Sequence, residues 1–132
     1  MLLDDLASVL VAAGVGVEGA SLFLTAAAVI PTGAGPYLTL SETGGVAPTR
    51  VQNSRPPNTQ RPTVQVLMRG APVAMRAMAK AAYFALDGIF NTTINGVFYL
   101  SVTARQEPTE MGLDANNRLQ CVFNLNIEKA PS

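Results

Sequence analysis

The chain has 132 residues, room for one domain that buries roughly two-thirds of its unfolded surface and folds without covalent staples. Nine basic and nine acidic residues give a formal charge of zero, so no global field draws the chain to nucleic acid or anionic lipid. A single cysteine, Cys121, excludes an intrachain disulfide and permits cytoplasmic folding, and the absence of histidine removes the commonest general base and metal ligand. That composition weighs against an enzyme and offers no site for a cofactor.

Leu2, Leu3, Leu6, Val9, Leu10 and Ala13 share one face of a helix over residues 2–13 that should pack on a sheet. Asp4 and Asp5 suit its positive N-terminal end, and they stand where an export signal needs positive charge. Gly14 offers a C-terminal stop. Gly14 to Gly19 is a formal match to G-x-G-x-x-G, which cradles a pyrophosphate when a strand precedes it and a helix follows. One parse supplies that context: Val9–Ala13 as strand, Ala20–Ile30 as helix, Tyr37–Ser41 as a second strand and Glu42 as the ribose-binding acid of a nucleotide-binding module. Too little chain follows to complete a doubly wound sheet, so the glycines read better as a flexible helix-to-strand connection.

Ser21–Ile30 then reads as a strand, Pro31–Pro36 as a turn, and Tyr37–Ser41 as a strand with one wet face. Residues 19–41 are uncharged, but Pro31, Gly33, Gly35 and Pro36 interrupt the apolar run short of the ~20 residues a membrane span needs. Thr43–Pro62 lacks any apolar period and reads as a long loop, of the kind that tends to carry function. It holds Arg50, Arg55 and Arg61, and no acidic residue occurs between Glu42 and Asp87.

Val64–Asp87 predicts strand, turn and helix: VQVLM, then Arg69-Gly70, then APVAMRAMAKAAYFALD. On the helix Arg76, Lys80, Tyr83 and Asp87 form one narrow polar stripe, with Ala, Met, Phe and Leu over the remaining circumference. Such a helix should be mostly buried, wedged between a sheet and either the rest of a monomer core or a neighbouring subunit. Asp87-Gly88 supplies its stop, and Asn91-Thr92-Thr93 matches a glycosylation acceptor without an export signal to make it meaningful. Phe98–Ala104 and Leu119–Ile127 alternate apolar and polar residues, Val122 excepted, and read as one hairpin. Their connection, Gln106–Asn117, is a loop carrying Glu107, Glu110 and Asp114 without a base. The expected fold is α+β: a mainly antiparallel sheet with helices packed on one face, in a single domain over residues 1–132 with long loops at 43–62 and 106–117.

Several landmarks fall in order: the N-terminal amphipathic helix, Ile30-Pro31 before a short strand, LSETGG at Leu40–Gly45, VQVLMRG at Val64–Gly70, ING at Ile94–Gly96, and MGLDANNR leading into a strand that ends in FNLNI. In that order and spacing the chain resembles the minor capsid and tail-terminator proteins of long-tailed bacteriophages. The resemblance spans residues 2–128, though Gly14–Gly19 and the arginine-rich part of the 43–62 loop match no part of it. It implies helices against a mainly antiparallel sheet, assembled as a homo-hexameric ring in the virion. That ring would cap the tail tube protein and join it to the head–tail connector protein, after assembly in the host cytoplasm. A head-completion or connector adaptor is the related alternative. Neither role needs an active site.

In a closed ring each subunit presents two different patches, which makes the basic 50–80 segment and the acidic Glu107, Glu110 and Asp114 natural counterparts across an interface. Both could equally be ordinary solvated loops. Arg50, Arg55 and Arg61 could also line a channel that makes transient, non-specific contact with DNA, although a loop without aromatic residues is a poor nucleic-acid signature. Arg69 and Gly70 are expected as a structural turn, with Arg69 pairing a carboxylate or carbonyl there.

Overall fold

The computed structural model describes residues 2–24, 35–49 (backbone alone over 45–49), 59–113 and 117–130. The order of elements is α1 (Leu2–Ala12), β1 (Leu22–Leu24), β2 (Tyr37–Thr49), β3 (Thr59–Gly70), α2 (Pro72–Leu86), β4 (Ile89–Ile94), β5 (Val97–Ala104), β6 (Thr109–Leu113) and β7 (Leu119–Lys129). Seven strands form one sheet in the order β1-β2-β3-β7-β5-β4, and β6 also pairs with β7. Every pairing is antiparallel except β1 with β2. The protein is therefore α+β, as the sequence leads one to expect.

Period-two alternation decides which residues most of the sheet buries, but not in β5. There Phe98 and Leu100, expected on the apolar face, are exposed, while Tyr99 and Val102 are fully buried on either side of a register shift against β7. Leu22, Leu38, Met68 and Cys121 lie in one row across four strands, and Leu24, Leu40, Val66 and Phe123 in the next. Both rows belong to the apolar core on which the helices lie. The opposite face carries Ser41, Gln65 and Asn124 in one row and Thr63, Asn126 and Thr103 in another. Val122, out of place in the alternation of its strand, sits on this second face beside Leu67 of β3, so its neighbour there is apolar too.

Helix α1 buries Leu2, Leu3, Leu6, Ala7 and Leu10 against the core. It ends as Gly14 suggests: Gly14 has φ +76, and the amides of Gly14 and Val15 return to the carbonyls of Val11 and Leu10. Residues 9–12 are thus helical, which removes the parse that makes them the strand before a dinucleotide fingerprint. Of the expected strand Ser21–Ile30 only Leu22–Leu24 is observed, and residues 25–34 lie outside the described part of the chain.

Three expectations about loops need correction. Most of the 43–62 segment is strand, since β2 continues to Thr49 and β3 begins at Thr59, with Gly45 opposite Pro62 and Thr49 opposite Thr59. Here the ladder's main-chain hydrogen bonds hold the strands, and these need no apolar alternation. The acidic 106–117 connection contains β6, which pairs Glu110 with Cys121 and Leu113 with Leu119, so β5 and β7 are not a simple hairpin. Arg69 and Gly70 do not form the turn either. They are the last two residues of β3, in register with Gln120 and Leu119, and the chain bends at Ala71. Strand β4, unforeseen, forms a hairpin with β5 through Asn95-Gly96, both at positive φ as a two-residue turn requires.

Candidate assembly surface

Helix α2 starts with Pro72 in its first turn, where a missing N–H costs nothing, and ends at Asp87, whose amide bonds the Tyr83 carbonyl at 2.9 Å. Asp87 also ties the end of the helix to the end of β5, since its Oδ1 accepts the Ala104 amide at 2.8 Å. The helix buries Met75, Met78, Ala79, Ala82 and Leu86. It is not the mostly buried element its composition suggests: lying on one face of a sheet, it leaves Ala74, Ala77, Ala81 and Phe84 in solvent, Phe84 70% exposed and Val73 82%. The expected polar stripe is there as well, Arg76 and Lys80 exposed and Tyr83 and Asp87 half-buried, but it is part of a wider open sector.

One edge of that sector, Phe84 with Arg76 and Lys80 of the polar stripe, borders an open cleft of about 340 Å³ between α2 and β6, with Ala79 and Tyr83 also on the helix side, Glu107 and Pro108 opposite, and Cys121 buried beneath. Arg76 Nε donates to Glu110 Oε1 at 2.6 Å across it. The hydrogen bond raises the guanidinium pKa and holds the Glu110 carboxyl below its usual range. Tyr83 packs edge-on against Phe123 at 5.9 Å, and desolvation together with the nearby carboxylates of Asp87 and Glu107 pushes its hydroxyl up. Burial pushes the Cys121 thiol up, so it stays protonated and is a poor nucleophile. The Lys80 ammonium lies 5.9 Å from the Phe84 ring centroid. These groups supply apolar contact and charge in both signs. No group of three or more His, Cys, Asp or Glu among the described residues could hold a metal ion.

The remaining predicted site residues disperse. Arg61 lies in β3 with its Nε 3.8 Å from Glu128 of β7, beside a smaller hollow with Thr63 and Asn126. Glu107 and Glu110 reach the cleft, Glu110 from β6 and not from a loop. Arg50, Arg55 and Asp114 lie outside the described residues. Arg69 Nε is buried without a hydrogen-bond partner, so the expected pairing is not made at that atom.

No family model matches the chain, and no curated protein matches it.

Two features of this surface escape the sequence. Phe84 reads as core on an apolar helix, and only the single-sided packing of α2 turns it outward. The five residues of β6 are too few, and too interrupted by Gly112, to show a period. No helix among the described residues is long and apolar enough to cross a membrane.

Proposed function

We propose that this protein is a structural subunit of a bacteriophage virion, assembling as a ring at the end of the tail tube where the tail meets the head-side connector. The observation that carries the reading is the outward face of α2. Val73 and Phe84 stand in solvent beside Ala74, Ala77 and Ala81, small residues that let another surface approach the helix closely. An apolar helix face left open on one subunit is what a subunit interface requires. The order of sequence landmarks supports the tail-terminator family as the setting, and the α+β architecture with both helices on one sheet face agrees with it.

Two sequence-based interface assignments change in this reading. Glu110 is met within its own chain by Arg76, and Arg61 by Glu128, so neither is the simple counter-charge of a neighbour. Solution mass over a concentration series, with electron microscopy of the concentrated protein, tests the reading. Six-membered rings with an open centre are the expected result, and a protein monomeric at every concentration overturns it.

A further inference from the structure

The charges of the chain are segregated along its length. Residues 1–49 contain Asp4, Asp5, Glu18 and Glu42 and no base, whereas residues 50–86 contain five arginines and Lys80 and no acid. In the fold two of these regions end at opposite sides of the sheet. The last turn of α1 and the turn that follows it lead into β1, the first strand of the order, and expose Val11, Glu18 and Val17, the last 63% exposed. Glu18 and Leu22 form a bridge there, and Ser21 Oγ accepts the Val17 amide at 3.0 Å, so the turn is held in shape. The α2–β6 cleft lies at the other side, since β6 pairs with the edge of β7 that faces away from β3.

We propose that the cleft between α2 and β6 receives the 11–18 turn of a second copy of this chain, with Val17 against Phe84 and Glu18 against Lys80. The inference rests on the self-assembly reading above and names the contact. Charge selects the pairing. Apart from Arg76, which Glu110 neutralises, Lys80 is the remaining cation of the helix wall, while Glu107 makes the opposite wall anionic. An incoming apolar turn with one carboxylate is therefore drawn to the helix side. Two copies meeting α2 to α2 would oppose lysine with lysine, because α2 has no acidic residue. The two patches are different and lie at opposite sides of the sheet, so each copy offers one to each neighbour, the head-to-tail arrangement from which rings close.

The test uses full-length protein with the native thiol removed by Cys121→Ala. Glu18→Cys protein and Lys80→Cys protein are treated with a short bifunctional maleimide, each alone and mixed. The expected result is a linked dimer formed several-fold more in the mixture than in either sample alone. Equal or greater linking of either variant with itself overturns the proposal. So does an absence of linking at concentrations where the wild type is oligomeric, which would leave ring assembly standing on another surface. A wild type that is monomeric throughout, with no linking, overturns both. As an independent readout, Lys80→Glu should weaken self-association about tenfold, and adding Glu18→Lys to the same chain should restore it. Equal weakening in the double variant overturns the pairing.

Discussion

The Tyr99 hydroxyl donates to Oδ2 of Asp5 at 2.5 Å, tying β5 to the first turn of α1 across 94 positions of sequence. Asp5 is only 1% exposed, and its other oxygen accepts from Asn95 Nδ2 at 3.0 Å, so the turn between β4 and β5 is held by the same carboxylate. A charge is tolerated at this depth because two donors and the amino-terminal end of a helix surround it.

Removing one donor should therefore cost more than one hydrogen bond. Tyr99→Phe leaves a buried carboxylate oxygen without its partner, and about 1–3 kcal/mol of stability should be lost. Urea unfolding checks this: the midpoint should fall with the slope unchanged.

The same contact predicts a response to alkali. Burial first, and then the hydrogen bond and charge of Asp5, raise the Tyr99 pKa far above its ordinary value. A phenol that ionises only in the unfolded chain stabilises the fold fully below about pH 10, and that contribution is lost as pH rises further. Between pH 9 and pH 11.5 the wild type should thus lose stability more steeply than Tyr99→Phe, by up to roughly 1.4 kcal/mol per pH unit. Parallel slopes for the two proteins would count against it.

The Arg76–Glu110 pair is exposed on both sides and should contribute little to stability. Its signature is a titration. In Arg76→Ala the Glu110 carboxyl, followed by side-chain NMR, should move up toward the ordinary glutamate range while the melting temperature barely changes. An unmoved Glu110 would show that the pair does not persist in solution.

Helix α2 should show two unlike sensitivities. Met75 has no exposed surface, and Met75→Ala should cost about 2–5 kcal/mol. Phe84→Ser changes a side chain in solvent and should alter monomer stability by less than about 0.5 kcal/mol, while weakening any self-association through this face. Thermal melts of dilute protein and sedimentation of concentrated protein separate the two effects.

Two glycines at positive φ should also differ. A Cβ on Gly14 would meet nothing within 4 Å, so Gly14→Ala should cost only the conformational penalty, about 1–2 kcal/mol. On Gly35 it would lie 3.0 Å from the Arg69 carbonyl oxygen and from Tyr37, and Gly35→Ala should be the more damaging in matched melts.

Taken alone, the sequence determined whatever depends on local pattern. The periodicity of Leu2–Leu10 marked α1, Gly14 marked its end, and the alternation of Leu119–Ile127 placed Cys121 and Phe123 on the buried face, because side-chain direction in a helix or strand follows directly from position. Tertiary structure decided what depends on partners brought from elsewhere in the chain. Thr43–Thr49 and β6 are strands because a neighbouring ladder satisfies their main chain, Asp5 is buried because Tyr99 and Asn95 reach it, and Phe84 is exposed because α2 has a sheet on one side only. Composition could mark that helix as apolar over most of its circumference, but which half of it meets the core is fixed by long-range packing.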